Sequence, residues 1–196
     1  MYGKMNITEN HLKVLSVFTK GFFKEYYVRE VQKVLKIGLG TAQKILNDLE
    51  QRGVLESQTR GKIKVYRIRK NSLSISYLMF AEDYRNLAFL ASNDKIREII
   101  EKITPSIKGI GLVFGSYAKG TQEKGSDLDV FIVGECDMKE IKKISEAYGL
   151  EINVKAYPSD IFAESLRRDF LVKEVLDSHI LFLNGEQFVR AVIQHG

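Results

Sequence analysis

Two aspartates separated by a single residue, Asp127 and Asp129, stand at the head of the apolar run Leu128-Asp129-Val130-Phe131-Ile132-Val133. Side chains alternate along a strand, so Asp127, Asp129 and Phe131 share one face and Leu128, Val130 and Ile132 the other. The Leu/Val/Ile face predicts a core, which leaves the two carboxylates side by side and facing away from it. Like charges at adjacent same-side positions repel, and a fold that keeps them together needs a compensating positive charge. A divalent cation supplies one, because Mg²⁺ takes hard oxygen ligands, typically one or two carboxylates together with substrate phosphates. Upstream, IKGIGLVF (107–114) predicts a strand that ends at Gly115-Ser116. Glycine permits a tight turn and a close approach of backbone to ligand. The Ser116 hydroxyl can donate to a phosphate, and YAKG (117–120) predicts a short helix whose free N–H groups attract phosphate oxygens. One side of this segment suits phosphates and the other suits the metal that bridges them.

Gly115-Ser116, Gly120 and Ser126-Asp127-x-Asp129 together match the Gly-Ser…Gly…Ser-Asp-x-Asp signature. On these residues the segment 95–185 resembles the DNA polymerase beta-like nucleotidyltransferase superfamily, and within it the minimal nucleotidyltransferases of archaea and bacteria. The resemblance implies transfer of a nucleoside monophosphate from an NTP, with ATP the expected one, to a hydroxyl acceptor, with pyrophosphate leaving and Mg²⁺ as cofactor. It makes Asp127 and Asp129 the catalytic, metal-binding acids and assigns Gly115, Ser116, Lys119 and Ser126 to the nucleotide. It also implies an acceptor on a protein or small molecule and a small helical partner protein. Members that catalyse carry a third carboxylate on the following strand, here EINVKAYP (151–158). Ile152, Val154 and Ala156 form its apolar face and Glu151, Asn153 and Lys155 the other, so the central position holds Asn153. An asparagine can ligate through its carbonyl but brings no charge and cannot act as a base. Glu151, two residues away with a longer arm, is taken as the third metal ligand. Two readings follow: an active nucleotidyltransferase, or a DNA-binding transcriptional regulator whose nucleotidyltransferase-fold domain is inactive and senses a nucleotide.

The first third of the chain has a different pattern. ITENHLKVLSVFTKG predicts a helix with Thr8 as N-cap and Leu12, Leu15, Val17 and Phe18 near helical spacing. YYVREVQKVLKIG predicts a short helix with Val28, Val31, Val34 and Leu35 inward. GLGTAQKILNDLEQRG predicts a third, with Ala42, Ile45, Leu46 and Leu49 on one stripe. VLESQ and KIKVYRIRK then predict a hairpin turning at Thr59-Arg60-Gly61. Three helices followed by a basic hairpin resemble a winged helix-turn-helix domain. That resemblance implies DNA binding, with Thr41, Lys44 and Asn47 on the recognition helix and Arg60, Lys62 and Lys64 on the wing. It also implies a homodimer on two half-sites. The expected layout is α+β: a winged-helix domain at 1–71, a helical linker at 72–94 broken near Asn93-Asp94, and a small nucleotidyltransferase α/β domain with a mixed sheet at 95–196.

Composition sets the remaining bounds. The net charge is +5 over 196 residues, a mild excess that suits a polyanionic partner. Cys136 is the single cysteine, so neither an intrachain disulfide nor a thiolate cluster can form. The three histidines, His11, His179 and His195, have no zinc-ligand spacing. No apolar run approaches the ~20 residues of a bilayer span, and a soluble cytoplasmic protein without membrane contact is expected.

Overall fold

The computed structural model describes residues 6–196, so the first five residues of the expected N-terminal domain lie outside the described part. The chain divides into two compact units between Ala81 and Glu82, inside one long helix.

In the first unit, α1 (Glu9–Thr19), α2 (Val28–Leu35) and α3 (Leu39–Gln51) precede the antiparallel hairpin β2 (Leu55–Arg60) and β3 (Ile63–Ile68). A two-residue strand, β1 (Tyr26–Tyr27), pairs with β3, so the small sheet has the order β1-β3-β2. Thr8 caps α1 as expected, its backbone N–H donating to His11 Nδ1 at 3.3 Å. The α3 stripe is the core of this unit: Ala42, Leu46 and Leu49 are fully buried and pack with Val14, Leu15, Phe18 and Val31. Two expectations need correction. Val34 is 62% exposed, because α2 buries only Val31 and turns its next valine outward. The hairpin turns at Gly61-Lys62, one residue later than read, with Arg60 opposite Ile63. Gly61 sits at φ +62°, the conformation that a two-residue hairpin loop with glycine in first position requires. The region expected to link the modules is the helix α4 (Ser72–Ala91), and the break falls at Ser92-Asn93, one residue before the expected Asn93-Asp94.

The second unit has a four-stranded mixed sheet of order β6-β5-β4-β7. The strands are β4 (Ile107–Phe114), β5 (Leu128–Cys136), β6 (Ile152–Tyr157) and β7 (Ile180–Leu183). β4 is antiparallel to β5 and β7, and β5 is parallel to β6. The helices are α5 (Asp94–Ile103), α6 (Gly115–Lys119), α7 (Met138–Tyr148), α8 (Ser159–Ser165), α9 (Phe170–Asp177) and α10 (Gly185–His195), with a 3₁₀ turn at Thr104–Ser106.

Both faces of the central strands are buried. Leu128, Val130 and Ile132 of β5 join Ile96, Ile99, Ile100 and Ile103 of α5 and Ile141 of α7. The other face is aromatic: Phe131 of β5 meets Phe114 at 6.3 Å, Tyr157 at 5.1 Å and Phe162 of α8 at 6.1 Å, and Phe162 continues to Phe188 of α10 at 6.0 Å. The face that carries the aspartates is therefore not a solvent face. Only its first positions escape burial: Asp127 is exposed and Asp129 half-buried. A buried polar group also lies in this unit: Arg85 Nη1 pairs with Glu82 Oε1 at 2.8 Å and its other nitrogen donates to the His179 carbonyl. His179 Nε2 lies 3.5 Å from Glu82 Oε2, with both side chains at most 1% exposed.

Candidate active site

The sheet register aligns the site. Asp129 is paired with Phe114 of β4 on one side and with Asn153 of β6 on the other, so three strands contribute one row. Immediately after Phe114 the backbone enters the left-handed region at Gly115 (φ +68°) and turns into α6. A β-carbon at Gly115 would lie 3.0 Å from Asp129 Cγ and 3.3 Å from Asp129 Cβ, and nearer still to Oδ2. The glycine is there because the carboxylate of Asp129 occupies the place of a side chain. This contact joins the two halves of the sequence motif in space.

The electrostatics are those of a crowded anionic site. Burial pushes the Asp129 carboxyl above its ordinary range, and the charge of Asp127 pushes it further. The Asn153 amide opposes the shift; Glu174 adds to it and Lys119 counters it. Asp127 itself is exposed. Asn153 Nδ2 donates to Asp127 Oδ2 at 3.3 Å, so the amide faces both acids from the position where a third carboxylate was expected.

The other expected site residues distribute as follows. Gly115 and Ser116 form the turn above Asp129, and the Ser116 carbonyl accepts the Thr121 N–H at 3.0 Å. The Ser126 hydroxyl accepts the Glu123 N–H at 2.8 Å and so closes the turn that leads into β5. Lys119, at the end of α6, is bound through Nζ to Glu174 Oε1 of α9 at 2.7 Å. Glu174 is a residue that sequence reasoning missed, since 55 positions separate it from Lys119 and no local pattern links the two. Glu151 is exposed just before β6, its carbonyl accepting the Leu128 N–H at 2.8 Å. Among the described residues no three His, Cys, Asp or Glu side chains gather where one ion reaches them all.

The donor set fits a hard cation through two acids. The charge of Asp127 adds to that of Asp129, the space above Asp129 is kept open by a residue without a side chain, and the Asn153 amide donates to the acids rather than adding a charge.

In the first unit, Thr41, Lys44 and Lys62 are exposed. Asn47, Lys64 and Arg60 are engaged internally. Asn47 Oδ1 accepts from Tyr66 at 2.7 Å, Lys64 pairs with Glu50 at 2.5 Å, and Arg60 pairs with Glu25 at 2.8 Å. Below them Asp48 accepts from Arg52 at 2.6 Å, and that bond holds its carboxyl below the usual range.

With the geometry in place, comparison with known proteins bears on the second unit. Residues 93–182 match the family model described as a nucleotidyltransferase domain. That span lies within the second unit. A curated protein of Methanocaldococcus jannaschii, named "Putative protein adenylyltransferase", is 27% identical over 96 residues, which is 47% of this chain and 95% of that protein. Among solved structures, the archaeal chromatin protein TrmBL2, titled as showing a novel mode of DNA binding, aligns over 84% of this chain and 68% of its own, at 13% identity and a TM-score of 0.27. That overlap is too low to carry any argument about fold or function. No helix among the described residues is long and apolar enough to cross a membrane.

Proposed function

We propose that this protein transfers a nucleoside monophosphate from an NTP, with ATP the expected donor, to a hydroxyl group on a protein or small molecule. The observation that carries the reading is the contact of Gly115 with Asp129, which sets a phosphate-type turn directly over a pair of carboxylates. In the reaction the acceptor oxygen bonds to the α-phosphorus, the bond from that phosphorus to the bridging oxygen breaks, and pyrophosphate leaves as the hydroxyl proton passes to solvent. Asp127 and Asp129 would hold Mg²⁺, which neutralises charge on the phosphates as they react. Backbone N–H groups of the Gly115-Ser116 turn and the Ser116 hydroxyl bind phosphate oxygens, and Ser126 fixes the turn that presents Asp127. Lys119, already beside the acids, pairs with the triphosphate. The first unit acts as a winged-helix DNA-binding module, with α3 in the groove and the β2–β3 loop on the backbone. A homodimer and a small helical protein partner complete the expectation.

A second reading has its own support. Asn153 faces both acids with an amide, so the site holds two negative charges and no further base. A nucleotide-sensing DNA regulator without turnover needs nothing more.

One experiment separates these readings. The full chain is incubated with Mg²⁺ and each α-labelled NTP, with cell extract as acceptor source and Asp127→Asn/Asp129→Asn as control. Transfer of label by the wild type and not by the control supports the enzyme. NTP bound with Mg²⁺ but never transferred supports the sensor, and binding that persists undiminished in the control refutes the site.

A further inference from the structure

Phe170, the first residue of α9, is 83% exposed, more than any other large apolar side chain among the described residues. The aromatic layer beside it is complete without it: Phe131, Phe162 and Phe188 are each at most 1% exposed. Leaving a phenylalanine in water forgoes the stabilisation that burying its ring would bring. Its backbone is firmly anchored. Asp169 caps α9 by accepting the Val172 N–H at 2.9 Å, and its other oxygen accepts from the Tyr157 hydroxyl at 3.3 Å. Tyr157 in turn packs on Phe131, the residue two positions beyond Asp129. The exposed ring therefore stands on a fixed element tied to the strand of the acids.

Its direction matters as much as its exposure. Phe170 and Glu174 are four residues apart, so they lie one above the other on the same face of α9, with Cβ atoms about 5–6 Å apart. Glu174 holds Lys119, and its charge reaches Asp129. The α9 face that bears the bare aromatic ring thus borders the phosphate side of the site within one helical turn.

We propose that Phe170 is the stacking platform for the base of the bound NTP. This rests on the nucleotidyl-transfer reading of the site. A π-face accepts any base, and a purine, with the larger face, gains most. The residue sets affinity for the nucleoside end of the donor, while Gly115, Ser116 and Lys119 take its phosphates.

The test uses the full chain, Mg²⁺, and two probes, ATP and inorganic triphosphate. Phe170→Ala is expected to weaken ATP binding about tenfold, within the ~5–150-fold range of base–aromatic stacking, and to leave triphosphate binding unchanged. The chain has no tryptophan, so Phe170→Trp introduces a single reporter. Its fluorescence is expected to be quenched by ATP and not by triphosphate, and its ATP affinity to equal or exceed that of the wild type. If Phe170→Ala binds ATP as the wild type does while Asp127→Asn/Asp129→Asn does not, the platform is refuted and the site stands. If Phe170→Ala binds ATP normally but loses transfer to the acceptor, the ring belongs to the acceptor and the proposal also falls. Failure of the wild type to bind either probe would sink the nucleotidyl-transfer reading itself.

Discussion

Substitution of Gly115 by alanine tests the geometry of the site without touching either acid. The glycine sits at φ +68°, a region where an L-residue with a β-carbon is worse off by about 1–2 kcal/mol. The new methyl would stand 3.0 Å from Asp129 Cγ, so the carboxylate must rotate away, at about 0.5–1.5 kcal/mol for a side chain forced off its rotamer. The reduced freedom of the unfolded chain returns about 0.4–1 kcal/mol. The net expectation is a loss of about 2 kcal/mol. For the second unit, of about 115 residues, this is roughly 8 °C in melting temperature. Urea denaturation of wild type, Gly115→Ala, Asp129→Ala and the double variant reads it directly. In the Asp129→Ala background the steric part vanishes, so the same glycine change should remove only about 1 kcal/mol, a coupling of about 1 kcal/mol. If Gly115→Ala stays within about 0.5 kcal/mol of its parent in both backgrounds, the turn does not press on Asp129 and the site is wrongly built.

Asp129 also gives a pH signature. Its folded value lies above the ordinary 3.8, so its contribution to stability is greatest below that pH and is lost as pH rises through the folded value. Asp129→Asn should be more stable than the wild type at pH 7, and its advantage should shrink towards pH 4; urea midpoints that differ by a constant amount across that range would contradict the burial and repulsion assigned to it. Arg85→Met leaves Glu82 buried without its guanidinium partner and should lower stability by about 3–5 kcal/mol, and a loss below 1 kcal/mol would show that the pair is solvated. Glu25 sits among Arg60, Arg67 and Gln58, so Glu25→Gln should tighten DNA binding and steepen the log–log salt slope by about 0.9, one extra phosphate contact; an unchanged slope by fluorescence anisotropy removes the β2–β3 loop from the interface.

What the sequence made legible was periodic or local. The α3 stripe, the strands β4 to β6 and the Gly115…Asp129 signature each announce themselves within a window of twenty residues. The burial of Phe131 escaped because a strand packed on both faces loses the alternation that marks a half-exposed one. Helix α10 carries Phe188, Val189, Val192 and Ile193 at helical spacing and buries all four. The hairpin turn was placed a residue early because Thr59-Arg60-Gly61 offers turn chemistry that the register with Ile63 overrides. Lys119–Glu174, Arg60–Glu25 and the anchoring of Phe170 through Asp169 and Tyr157 join residues far apart in the chain, and only the folded arrangement reveals them.

The double-sided packing of β5 has a consequence for how such a site diversifies. A strand enclosed by isoleucines on one face and aromatic rings on the other tolerates few substitutions, and a change of one methylene is felt throughout. The acids at its head are carried by the least adaptable element of the unit. Under the proposed reading, new acceptors are accommodated by rewriting the exposed turn 121–124, where insertions and replacements disturb little buried structure. Lineages sharing this scaffold should differ most in that segment, and a library confined to it should change acceptor choice while leaving melting behaviour intact.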